Sequence, residues 1–280
     1  MPRRVAFINE KGGSGKTTLV ANLAYYLAQN EGFRTLAVDM DPQGQLGKVL
    51  GLDVNGSRRT SLDLLLHDGS GKSDSSAALD EPHCELPTLR TRVDGLDVIV
   101  SNKSLAVFPA FGQSDPEDDP TGRLVARLQN APELENYDFV FFDAPPSFGP
   151  LTLNVLRASD EVVIPVPLTY LALDGCAELV RTLAMVRQRY RHPDLSIAMV
   201  IPTFYRRTRM ANEILKALRE RFPTEIANTV LGFTVKIDEA QSRGHTIFEA
   251  APRHAGAKSM AALGAELLAR FQNATANGSA

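Results

Sequence analysis

The chain has 280 residues, of which 44% are hydrophobic and 22% charged, with a formal net charge of −3 at pH 7. This is an ordinary globular balance, long enough for one large α/β domain or two small ones. Two cysteines, Cys84 and Cys176, make no disulfide framework and have no metal-ligand spacing, and no apolar run is long enough to span a bilayer, so a cytoplasmic protein is expected.

Pro2-Arg3-Arg4 leads directly into the apolar run Val5 to Ile8, which reads as a buried strand rather than a secretory leader. Glu10-Lys11-Gly12-Gly13-Ser14-Gly15-Lys16-Thr17-Thr18 follows, and Leu19 to Ala28 then has helical apolar spacing. A glycine-rich turn between strand and helix lets backbone N–H groups curl around an anion at the helix N-terminus. In such a loop Lys16 reaches the β/γ-phosphates and the Thr17 hydroxyl ligates Mg²⁺. Gly15, Lys16 and Thr17 fit the usual pattern G-x-x-x-x-G-K-[ST], whereas Glu10 stands in the place of its first glycine and Lys11 follows. Gly32 closes the helix.

Arg34 to Asp39 is a second strand, apolar on both faces as in a covered parallel sheet. It ends in Asp39-Met40-Asp41-Pro42-Gln43-Gly44, where carboxylates would lie in the ligand crevice of an α/β protein, although these residue types also suit a solvated turn. Short helices are expected at Gln45 to Leu52 and Ser61 to His67, a Gly/Ser/Asp-rich loop at about 68–83, and strands at Leu89 to Val93 and Leu96 to Ser101. A second, mobile acidic loop is expected over 112–122. Tyr137 to Asp143 reads as an aromatic and β-branched strand ending in one carboxylate, an arrangement suited to holding a Mg²⁺ shell. Glu161 to Pro167 is a strand, Leu171 to Arg191 a long helix, and Leu195 to Ile201 a further strand. Alternation of this kind implies a single-domain, doubly wound, mostly parallel sheet with helices on both faces.

Pro202-Thr203-Phe204-Tyr205 follows at the ligand-facing end. Arg206, Arg207 and Arg209 then open a helix over Met210 to Phe222, where cations oppose the macrodipole and so suggest phosphate contact as well as a plain solvated face. The last helix is expected over Gly256 to Phe271, ahead of a polar tail at about 273–280. From Arg181 to Met260 there are 14 Lys/Arg against 7 Asp/Glu, about +7, while the remainder has 16 against 26, about −10. A basic segment on an acidic chain points to a directed polyanion contact.

The K-G-G-x-G-K-T-T loop, the D-x-D-P-Q-G motif and the strand ending in Asp143 stand in order, and together resemble the deviant Walker A ATPases of the ParA/MinD superfamily, the ParA/Soj type in particular. Val235-Lys236-Ile237-Asp238-Glu239-Ala240 with Gln241-Ser242-Arg243-Gly244-His245 is similar to that family's V-R-x-x-E-A-P-S-x-G-K segment, Gln241 standing for its proline. The resemblance spans roughly residues 3 to 272. It implies an ATP-dependent, Mg²⁺-dependent ATPase that forms a homodimer around two ATP molecules. Lys11 would cross to the partner's phosphates and act catalytically with Lys16 and Asp41, which positions water. Gly12, Gly13, Ser14, Gly15, Lys16, Thr17 and Thr18 would hold the phosphates, and Pro202 and Thr203 would lie near the base. Thr17, Asp39 and Asp143 would surround the metal. It further implies non-specific double-stranded DNA binding on the nucleoid, with candidate contacts Arg206, Arg207, Arg209, Lys236, Arg243 and Arg253, and a ParB-like adaptor that stimulates hydrolysis. Positioning of a protein cargo such as a carboxysome or chemosensory array is the alternative within the family. A MinD-like membrane ATPase is disfavoured because the polar tail carries no Lys or Arg, and an iron–sulfur reductase because the cysteines are wrongly placed.

Overall fold

A computed structural model describes residues 1–66, 85–110, 119–170 and 172–278. The loop expected at 68–83, His67, Cys84, Leu171 and most of the acidic loop lie outside these residues.

Among the described residues the strands are β1 (Arg3–Phe7), β2 (Thr35–Asp39), β3 (Leu89–Arg90), β4 (Leu96–Ile99), β5 (Phe139–Asp143), β6 (Glu161–Pro167) and β7 (Ser196–Thr203). They form one sheet in the order β3-β4-β2-β5-β1-β6-β7. All pairings are parallel except the edge pair β3–β4. The helices are α1 (Lys16–Gln29), α2 (Gln45–Val49), α3 (Ser61–Leu66), α4 (Arg123–Gln129), α5 (Pro150–Ala158), α6 (Ala172–Arg189), α7 (Arg209–Arg221), α8 (Val235–Gln241), α9 (Ile247–Ala250) and α10 (Ala255–Gly278).

Two apolar layers cover the sheet, and strand alternation decides which residue enters which. Val5 and Phe7 face α1, α2 and α10, together with Phe139, Phe141 and Val163. Ala6 and Ile8 face α3 to α7, with Val140, Phe142, Val162 and Ile164. Near-continuous apolar strands are what burial on both faces requires.

Register fixes the site. Asp143 lies opposite Phe7 on one side and Asp39 on the other, so the ends of β1, β2 and β5 share one rim. α1 leaves the same rim from Gly15, in the left-handed region at φ 97°.

Several expected boundaries move. β3 stops at Arg90 rather than Val93, because Thr91 Oγ1 accepts the Val93 N–H at 3.0 Å and donates to the Leu96 carbonyl at 2.6 Å, which turns the chain out of the ladder. Residues 119–122 are not loose: the Thr121 N–H donates to the Asp119 carboxylate at 3.0 Å and Arg157 pairs with the same group. The last helix also runs longer than expected, through Gly278 rather than Phe271, and so takes in most of the polar tail. No proline interrupts that stretch, and extending an existing helix is far easier than nucleating one. α8 is a helix absent from the sequence reading, with Thr234 Oγ1 accepting the Lys236 N–H at 3.2 Å as its cap.

Candidate nucleotide site and basic surface

Asn9, the buried residue after β1, organises the loop. Its Nδ2 donates to the Pro165 carbonyl on β6 at 2.7 Å, and its Oδ1 accepts the Lys11 N–H at 2.8 Å. Its own carbonyl accepts Lys16 Nζ at 2.9 Å. Lys16 is thus buried inside the curl of the loop, and burial lowers its ammonium below the usual lysine range, against the pull of Asp143 and Asp41.

Thr17 Oγ1 donates to Asp143 Oδ2 at 2.6 Å. The other Asp143 oxygen is buried with no hydrogen-bond partner. Burial pushes the Asp143 carboxyl up to about 7, against the Thr17 hydrogen bond and the Lys16 charge, while Asp41 adds to the rise. Asp39, fully buried, is also raised, chiefly by burial and then by Asp143. Both Asp39 oxygens are nevertheless taken: Oδ1 accepts the Asp41 N–H and Oδ2 the Leu46 N–H, each at 3.0 Å. Asp39 therefore ties the following turn to the start of α2. Asp41 is half-buried above it, with Oδ1 accepting the Gln43 N–H at 2.9 Å. Gly44 closes this turn at φ 60°, and a Cβ there would collide with the Ser101 carbonyl. An orphaned carboxylate oxygen beside a hydroxyl is a hard oxygen donor set and fits Mg²⁺.

Gly12 and Gly13 are exposed and Ser14 is buried. The Ser14 carbonyl accepts Thr203 Oγ1 at 3.0 Å, so the end of β7 touches the loop. Pro202 is buried, and its carbonyl accepts the Leu231 N–H at 2.9 Å. Pro202 and Thr203 are therefore the last strand residues of β7 rather than a loop. Phe204, at φ 54°, lays its ring against Gly15, where a Cβ would meet it at 3.7 Å.

Lys11 does not share the buried position of Lys16. It is exposed, and its Nζ donates to Thr169 Oγ1 at 2.9 Å, beside Tyr170, which is 80% exposed. Thr18, at the second residue of α1 after Lys16, accepts Gln241 Nε2 on Oγ1 at 2.8 Å. The sequence reading missed Asn9, Thr169 and Gln241 as site residues. Asn9 carried a signal, an amide at the end of an apolar strand, whereas the other two approach only through tertiary folding.

The six basic candidates are all exposed. Tyr205 bridges to Gly232, and Arg206 stacks over the Phe233 ring at 4.1 Å, which brings the start of α7 beside the segment entering α8. Gly256, near Arg253, packs against Thr234 and Ile237 of that same region. Arg209 pairs with Glu213 at 2.8 Å and Lys236 with Glu239 at 2.7 Å. Arg207, Arg243 and Arg253 make no ion pair among the described residues. Arg243 lies at the far end of α8, close enough to contribute to holding the Glu239 carboxyl below its usual range, behind the larger effect of Lys236.

A glycine loop opening α1, beside carboxylates at the ends of neighbouring parallel strands, is the arrangement of a P-loop nucleotide-binding protein. Residues 2–197 match the family model described as AAA domain. The chromosome-partitioning ATPase Soj of Thermus thermophilus is 38% identical over 275 residues, covering 97% of this chain and 98% of that protein. The sporulation initiation inhibitor protein Soj of Bacillus subtilis is 35% identical over 261 residues, covering 92% and 95%. Among solved structures, cobyrinic acid a,c-diamide synthase from Mycobacterium smegmatis with bound ATP analogue and magnesium superposes with a TM-score of 0.75 at 28% identity, covering 97% of this chain and 96% of that one. The chain belongs to the ParA/Soj family of partition ATPases. No helix among the described residues is long and apolar enough to cross a membrane.

Proposed function

We propose that this ATPase binds ATP and Mg²⁺, pairs with a second copy of itself around the nucleotide, grips double-stranded DNA non-specifically as a pair, and moves a DNA cargo with a ParB-like adaptor that triggers hydrolysis. The observation that carries the reading is the divergence of the two loop lysines. Lys16 is drawn into its own phosphate cradle through Asn9, whereas Lys11 reaches outward to Thr169 on an exposed rim. Tyr170 and Leu173, which follow Thr169 in the chain, and Phe148, which follows the end of β5, are large apolar side chains left in solvent. An outward cation on an apolar border suits a second copy far better than it suits the chain's own pocket.

In this reading Lys16 grips the β/γ-phosphates, with the loop N–H groups of Gly12 to Thr18 around them. Thr17 and the free Asp143 oxygen would hold Mg²⁺, which would supply neutralisation of the phosphate charge. Asp39 fixes the turn that presents Asp41 to the attacking water. Lys11 leaves Thr169 on pairing and meets the charge that develops on the partner's transferred phosphoryl. Pro202, Thr203 and Phe204 flank the loop where a base would lie.

Replacing Lys11 by Ala tests this. ATP-induced dimerisation, followed by light scattering, should be lost, and turnover should fall about 10²–10³-fold, with ATP affinity largely kept. Unchanged pairing and turnover in Lys11→Ala would sink the reading.

A further inference from the structure

α8 is fastened to α1 by two side-chain amides. Gln241, the last residue of α8, donates from Nε2 to Thr18 Oγ1 at 2.8 Å across 223 residues of sequence. One turn further along α1, fully buried Asn22 donates to the Thr18 carbonyl at 2.7 Å and accepts the Ile247 N–H, at the start of α9, at 2.9 Å. The two clips hold both ends of the link between α8 and α9, and each converges on the first turns of the helix that leaves the phosphate loop. Between them the Gly244 carbonyl accepts from Arg92 Nη2 at 2.6 Å, which fixes the link from its far side.

The polarity of the first clip matters. A threonine hydroxyl has one donor and two acceptor lone pairs. Gln241 fills a lone pair, and the Thr18 O–H has no acceptor of its own among the described residues. The hydroxyl is therefore held with its proton free for an anion arriving at the loop. A bond from the hydroxyl to that anion would polarise the oxygen and strengthen the incoming bond from Gln241.

We propose that Gln241 is a positioning residue for the phosphate site, aiming the Thr18 hydroxyl, and that through the same bond phosphate occupancy stiffens α8, which carries Lys236 and leads to Arg243. The inference rests on the reading of Thr18 as a phosphate ligand, and makes α8 the part of the basic surface that senses nucleotide directly, within one copy.

Gln241→Met keeps length and removes the donor, while Gln241→Glu reverses polarity by offering only acceptors, so that Thr18 must turn its proton away from phosphate. With ATPγS and Mg²⁺ as the probe, calorimetry should show affinity reduced about fivefold in the Met variant and tenfold or more in the Glu variant. Hydrogen–deuterium exchange should show nucleotide slowing amide exchange over residues 235–247 in the unaltered chain by about fivefold, and no such slowing in either variant. A merely structural contact would raise exchange equally with and without nucleotide. Equal affinity in the Met and Glu variants, or protection that persists in Gln241→Met, would overturn the proposal. Should the Met variant not fold, Gln241→Asn, which withdraws the amide by one methylene, carries the same readings. If the unaltered chain fails to bind ATPγS, the nucleotide reading itself has failed. If it binds and protects α8 yet retains no DNA, the DNA reading alone has failed and the role of Gln241 stands.

Discussion

Asp143 carries, at the scale of one residue, a cost to the fold that the proposed metal site would explain. Its carboxylate is 1% exposed, one oxygen has no partner, and Asp39 and Asp41 stand close by. A buried carboxylate with one oxygen left unpartnered destabilises the nucleotide-free chain, which a neutral isostere would relieve. Asp143→Asn should therefore raise stability in the absence of metal by about 1–3 kcal/mol, read by thermal melting in EDTA. The same change should cut Mg²⁺-dependent phosphate release by about 10²-fold or more. A variant both less stable and fully active would contradict this account of the site. The motif carboxylates were legible from sequence because their spacing to strand ends is local. The division of labour between them was not: Asp39 spends both oxygens on backbone N–H groups while Asp143 keeps one free, and only the folded turn decides that.

At the scale of elements, the long apolar runs and helical periods were legible, whereas the bounds of β3 and the existence of α8 were not. The buried strands β1, β2, β5, β6 and β7 and the helices α1, α6 and α7 were readable because apolar runs and helical spacing are long enough to identify. β3 was expected to run on to Val93 and α8 was not expected at all, and each is set by one threonine, Thr91 or Thr234. What holds the α8–α9 region in place is likewise non-local. Arg92 donates to the Leu50 and Gly244 carbonyls at 2.6 Å and to both Glu249 oxygens at 2.8 and 3.0 Å, while Thr246 caps through the same carboxylate. Burial alone would raise the Glu249 carboxyl, but hydrogen bonds from Arg92 and Thr246, with the Arg92 charge, hold it below the usual range. A depressed folded pKa contributes stability that is present above the unfolded value, here 4.5, and fades as pH falls through the folded value. Glu249→Gln should thus cost about 1–2 kcal/mol at neutral pH, a difference that shrinks as urea melts are repeated below pH 4.5. A loss that stays constant at low pH would mean the carboxylate charge is not what matters.

The whole molecule is acidic, at −3, while its basic residues gather late in the chain. Six exposed cations lie on the start of α7, on and after α8 and before α10. Glu213 and Glu239 already occupy two of them, Arg209 and Lys236, so that in the proposed DNA-bound state Arg206, Arg207, Arg243 and Arg253 would be the best phosphate contacts. One copy with three or four contacts would show a slope of log affinity against log salt of about −3 to −4, since each neutralised phosphate contributes about −0.9. Affinity at that level is weak at physiological salt. In the proposed dimer, two copies held rigidly by shared ATP would present the second patch at high effective concentration, so affinity would rise without any new kind of contact. The slope should then roughly double, to about −6 to −7. Filter binding to random-sequence duplex across a salt series, with ATPγS and with ADP, measures both slopes. Arg207→Glu should abolish the nucleotide-dependent retention at physiological salt while calorimetric ATP binding stays intact. Equal slopes in the two nucleotide states would mean that ATP strengthens the grip of one patch rather than joining two, and undiminished retention in Arg207→Glu would place the DNA surface elsewhere on the molecule.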